Sequence, residues 1–109
     1  MEWKDLTGLS QIEDIALTSF QEPVVILKHS TRCSISHMAK ARLDRESLPE
    51  GIRFYYLDLI AHRDISNALA EKFSVHHESP QILLIKNGDC IYDESHNGIT
   101  FHEIIDQAG

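Results

Sequence analysis

The chain has 109 residues, 42% hydrophobic and 25% charged, with ten Lys and Arg against seventeen Asp and Glu for a formal net charge of -7. That length suits one domain, residues 1–109, with one core, and the composition is that of a folded chain rather than a disordered one. The negative charge opposes a nucleic-acid backbone or an anionic membrane surface, and neither a membrane span nor a signal peptide can be read from the sequence, so a cytoplasmic location is expected.

Ser10 and Glu13 have capping-box spacing and predict a helix start, with Ile12, Ile15, Ala16 and Phe20 on one helical face. Gln21-Glu22-Pro23 ends it, and Val24 to Lys28 is a β-branched apolar run suited to a central strand buried on both faces. His29-Ser30-Thr31-Arg32 then turns into Cys33, and Ile35, Met38, Ala39, Arg42 and Leu43 are spaced for a helix running to Ser47, before Pro49 and Gly51. Arg53 to Leu59 predicts a strand, and Ile65, Ala68, Leu69 and Phe73 a helix started by Arg63 and Asp64. After the irregular His76-His77-Glu78-Ser79-Pro80, the runs Gln81 to Lys86 and Asp89 to Glu94 flank Asn87-Gly88, a strong hairpin signal. Thr100 and Glu103 form a second capping box, opening a helix with Phe101, Ile104, Ile105 and Ala108.

This order predicts an α/β fold of thioredoxin-like type: a central mixed sheet with parallel strands plus a C-terminal antiparallel hairpin, and helices on both faces. The expectation rests on the order together with a cysteine at a strand-to-helix turn and a Ser-Pro pair before the hairpin. Cys33 at a helix N-terminus is the candidate nucleophile, because unpaired N–H groups there favour the reactive thiolate. His37, one turn on, is a candidate supporting group whose imidazole can instead point to solvent or across the turn. Position 36 holds serine, so no disulfide can close within the motif, and exchange must stop at a mixed disulfide with an external thiol. Ser36 is either a hydrogen-bond donor to the sulfur or a solvated first-turn serine.

Cys90 lies within a strand beside Ile91 and is expected to be a small packed side chain rather than a resolving thiol. The seven histidines are scattered over different elements, and although Cys33 and His37 have chelating spacing, no metal site is expected.

On Leu27-Lys28-His29-Ser30, Cys33-x-Ile35-Ser36, His77-Glu78-Ser79-Pro80-Gln81, Asn87-Gly88 and Tyr92-x-x-Ser95-His96, the chain resembles the monothiol bacilliredoxin family over nearly its full length. The resemblance implies a monothiol thiol-disulfide oxidoreductase that removes bacillithiol from mixed disulfides on cytosolic proteins in redox homeostasis and the stress response. It further implies no tightly bound cofactor, and bacillithiol or another low-molecular-weight thiol as co-substrate. By that resemblance Cys33 is catalytic, Arg32, Ser34, Ser36, Ser79 and Pro80 contact substrate, His37 and His96 support the site, and the Ser79–Pro80 peptide bond is cis. The family motif reads Thr-Cys-Pro-Ile-Ser, whereas this chain has Arg32-Cys33-Ser34-Ile35-Ser36. A backbone N–H at Ser34 and a cation at Arg32 are both expected to favour the thiolate. Two other readings are a non-catalytic thioredoxin-fold interaction module and a monothiol glutaredoxin-like iron-sulfur protein, whose Cys-Gly-Phe-Ser motif Ser34-Ile35 does not match.

Overall fold

The run at Val24 forms the middle strand of a five-stranded sheet in the computed structural model, which describes all 109 residues. The elements in order are β1 (Lys4–Asp5), α1 (Ser10–Thr18), β2 (Val24–His29), α2 (Ser34–Asp44), β3 (Arg53–Asp58), α3 (Arg63–Phe73), β4 (Gln81–Lys86), β5 (Asp89–Ser95), a 3-10 turn (His96–Gly98) and α4 (Phe101–Ala108). The sheet order is β1-β3-β2-β4-β5, with β1, β3 and β2 parallel and β4 and β5 antiparallel to their neighbours. No helix is long and apolar enough to cross a membrane.

Alternation along the strands divides the interior into two layers. Val24, Ile26, Leu57, Leu83 and Ile85 pack against Ile12 and Ile15 of α1 and Ile65, Leu69 and Phe73 of α3. Val25, Leu27, Phe54, Ile82 and Leu84 pack on the opposite side against Ala39 and Leu43 of α2 and Ile104 and Ala108 of α4. All six β2 residues are buried, Lys28 and His29 included.

The same topology brings the site together. Parallel strands need a crossover, so α2 starts at the C-terminal end of β2 and runs back to the start of β3. Because β4 is antiparallel to β2, with Gln81 opposite Lys28, its entry loop arrives at that same end.

Several local expectations need correction. Ser10 already lies in the first turn of α1, Leu9 is its N-cap, and no side-chain cap forms. The Gln11 amide oxygen instead accepts the N–H groups of Thr7 (2.8 Å) and Gly8 (2.9 Å). Phe20 falls beyond the helix end; its ring is exposed and lies over Gly88 of the hairpin. Helix α2 stops at Asp44 rather than Ser47 and buries Ser36, Ala39 and Leu43, leaving Ile35 and Met38 exposed. At α4 only half of the box forms: Thr100 Oγ1 accepts the Glu103 N–H, while the Glu103 carboxylate accepts from Gln107 Nε2. Strand β1 was not expected, since Lys4 and Asp5 are both exposed. It is held by buried Leu6, whose N–H bonds the Tyr56 carbonyl at 2.9 Å, and by Trp3 against Phe54.

Candidate active site around Cys33

Cys33 is the N-cap of α2, with extended backbone (φ -116°, ψ 122°), and its thiol is partly exposed. An N-cap side chain reaches the second and third helical N–H groups rather than the first. Those belong to Ile35 and Ser36, and the thiol is held below its ordinary value first by the Ser36 N–H, then by the Ile35 N–H and the Ser36 hydroxyl, against the opposing effect of desolvation. No side-chain cap bond closes, so the N–H groups act electrostatically on the sulfur.

The N–H groups that lower the thiol thus lie one and two residues beyond Ser34, whose own N–H is at the first helical position; Arg32 and Ser34 are both exposed. His37 turns away: its Nε2 lies 2.9 Å from the Thr31 carbonyl, and its ring stands edge-on to His29 with centroids 4.9 Å apart. It braces the turn instead of contacting the thiol. Ser36 is fully buried rather than solvated, and its Oγ also accepts the Ser30 N–H at 3.3 Å, tying the start of the turn to the helix.

Pro80 is buried, and the Ser79–Pro80 bond is cis. The β2–β4 register ends with Lys28 opposite Gln81, so Ser79–Pro80 enters β4 at the end of the sheet where His29 leads into the Cys33 turn. Ser79 Oγ and His29 Nδ1 are buried atoms with no hydrogen-bond partner in the chain. Burial, followed by the nearby charges of His37 and Lys40, holds His29 below its ordinary value.

His96 closes the far side of this loop. Its N–H bonds the Pro80 carbonyl at 3.0 Å, and its Nδ1 lies 3.5 Å from Glu78 Oε2, which also accepts from Ser95 Oγ at 2.6 Å. Arg42 of α2 donates to the His96 and Ile99 carbonyls, so the helix that begins at Cys33 also grips the turn after the hairpin. Arg42 has no motif of its own, and Glu78 and Gln81, although they lie in the His77-Glu78-Ser79-Pro80-Gln81 run, have partners that sequence reading could not name: Ser95 and His96 meet Glu78, and Lys28 meets Gln81, only through the fold.

Cys90 is elsewhere. It is opposite Ile85, four residues along β4 from Gln81, which at ~3.4 Å per residue is about 14 Å. A disulfide needs Cα atoms within about 7 Å. Cys90 packs against the α1/α3 layer, and burial pushes its thiol up to about 11. No group of three or more His, Cys, Asp and Glu side chains is arranged to hold a metal ion. The main surface cavity, about 260 Å³, is lined by Trp3, Leu48, Ile52 and Phe54 beside β1 and includes no residue of the Cys33 turn.

Comparison with solved structures supports this fold. A proposed oxidoreductase with a thioredoxin fold is similar to the chain at 28% identity and TM-score 0.83, covering 96% of this chain and 92% of the other. Thioredoxin from Malassezia sympodialis aligns at 17% identity and TM-score 0.79 over 99% of this chain and 92% of the other. Fasciola hepatica thioredoxin aligns at 17% identity and TM-score 0.74 over 97% and 99%. The sequence model of the monothiol bacilliredoxin BrxC family matches residues 4–104. With that match spanning nearly the whole chain on a thioredoxin fold, the chain belongs to the monothiol bacilliredoxin BrxC family and is a thiol oxidoreductase in general class.

Proposed function

We propose that the protein removes bacillithiol from mixed disulfides on cytoplasmic proteins, with Cys33 as the only catalytic thiol. The observation that carries this reading is the placement of Cys33 at the N-cap of α2, where N–H groups favour its thiolate, with Ser36 at the position from which a second cysteine would resolve it. The Cys33 thiolate attacks the bacillithiol sulfur. A Cys33–bacillithiol disulfide forms, the original S–S bond breaks, and the client sulfur leaves with the electron pair and takes up a proton. A second low-molecular-weight thiolate then attacks the bacillithiol sulfur, regenerating the Cys33 thiolate and releasing a small-molecule disulfide. Ser79 contributes an uncommitted hydroxyl and Pro80 the wall of the substrate position, while Arg32 and Ser34 are exposed beside the sulfur and contact the cap. Ser36 acts from beneath, and His37 and His96 brace the two sides.

Intact mass spectrometry of the protein with a bacillithiol-capped client tests this directly. The expected result is the cap on Cys33 and its loss from the client, both absent in Cys33→Ala. If no cap moves at any pH, the transfer reading is wrong and a non-catalytic interaction module takes its place. A loss of two hydrogens from the protein alone would show a Cys33–Cys90 disulfide and overturn the monothiol course.

A further inference from the structure

Lys28 has no accessible surface, yet its ammonium meets no carboxylate. A lysine in a buried strand ordinarily pairs with an acid. Here Nζ lies 3.0 Å from His77 Nδ1 and 3.2 Å from Gln81 Oε1, and these neutral acceptors sit on either side of Ser79–Pro80. An ammonium only donates, so it determines how each partner faces. The Gln81 amide must present its oxygen to Lys28, which leaves Nε2 to donate to the His76 carbonyl at 2.9 Å and lets Oε1 also accept the Glu78 N–H at 3.3 Å. His77 must present the lone pair of Nδ1, so its ring proton is on Nε2; Ser66 Oγ of α3 approaches the same Nδ1 at 3.3 Å.

The loop from His76 to Pro80 is thus folded around an amide whose orientation is dictated from β2. Lys28 shares its face of the sheet with Val24 and Ile26 and reaches α3 through Ser66, whereas Cys33 leads into α2 on the other face.

We propose that Lys28 is a positioning residue: through Gln81 and His77 it holds the His76–Pro80 loop so that Ser79 stands beside the Cys33 turn, and it thereby governs engagement of the mixed disulfide without tuning the thiolate. This rests on the reading of Cys33 as the nucleophile.

The test uses the full chain as wild type, Lys28→Met and His77→Ala, the last at an exposed residue so that a folded variant is available if the buried substitution disrupts folding. Amide exchange at Glu78 reports the loop without any activity. Iodoacetamide alkylation against pH reports the thiolate, and transfer from a bacillithiol-capped peptide reports engagement. Losing a hydrogen bond to a charged group predicts about tenfold faster Glu78 exchange and about tenfold higher KM in Lys28→Met, with smaller changes in His77→Ala. The alkylation midpoint and kcat are expected to stay in place. A shifted midpoint would show that Lys28 acts on the thiolate, and unchanged Glu78 exchange in both variants would reduce it to packing; either result overturns the proposal. If wild type transfers no cap, the bacillithiol reading fails, while the exchange and alkylation results still decide what Lys28 does.

Discussion

Replacing Lys28 by Met roughly preserves the side-chain length and removes the charge, which isolates what a buried ammonium does to the pH dependence of folding. Burial lowers this lysine from 10.5 to about 8. Between those values the unfolded chain binds more protons than the folded one, so stability rises with pH. The penalty is fully present below pH 8 and is relieved as the pH climbs toward 10.5. The gap between 10.5 and about 8 corresponds to about 3 kcal/mol at ~1.4 kcal/mol per pH unit. Cys90, Tyr56 and Tyr92 act in the opposite sense, since burial raises all three and the folded state loses stability as they ionise above their ordinary values. Their contributions cancel when wild type is compared with Lys28→Met at each pH. Urea denaturation under reductant, followed by far-UV circular dichroism from neutral pH to pH 10.5, measures that difference. Wild type is expected to gain about 3 kcal/mol on the variant across the range. A flat difference would show that the Lys28 ammonium is not desolvated in the folded protein and would refute the reasoning.

Alkylation of the native protein with iodoacetamide at roughly pH 8 is expected to modify Cys33 and spare Cys90, whose burial holds it protonated at that pH; mass mapping that finds equal labelling would contradict the geometry. Ser36→Ala removes the hydroxyl but not the two backbone N–H groups, so the midpoint of Cys33 alkylation should move up without reaching that of the unfolded chain. An unmoved midpoint would dismiss the hydroxyl. Gly88 has φ +83°, and a Cβ there would lie 2.9 Å from Phe20 Cζ. Gly88→Ala should therefore cost about 1–2 kcal/mol in urea denaturation, with Phe20→Ala recovering only the part due to the ring. Thr100→Ala, which leaves the Glu103 N–H uncapped, should lower stability by about 1 kcal/mol in the same assay.

The fold was legible wherever a local pattern has a single physical reading. Val24 to Leu27 is apolar and β-branched over too short a stretch for a helix, and Asn87-Gly88 takes positive φ at both residues, as its turn requires. The errors fell where tertiary contacts outweigh propensity. Ser10 and Glu13 have the spacing of a cap, but the helix begins one residue earlier, with Leu9 as N-cap and Ser10 already in the first turn. Phe20 continues the helical period, but the helix has already ended at Thr18. Strand β1 has no sequence pattern of its own, because two exposed residues at a sheet edge need only a neighbour to bond.

At the site, sequence alone determined that a single cysteine stands where an apolar strand turns into a helix and that no second thiol follows it. Both are local facts, set by neighbouring residues. Tertiary structure decided which groups serve that sulfur and which do not. The extended backbone at Cys33 presents its side chain to the N–H groups of Ile35 and Ser36, and His37 meets the Thr31 carbonyl and the ring of His29. It also decided that Lys28 is a buried donor rather than the polar end of a strand, because its acceptors, 49 and 53 residues away, come within reach only when β4 runs back along β2. Sequence spacing carries information about neighbours along one element, and a hydrogen bond across a sheet exists only once the strands have paired.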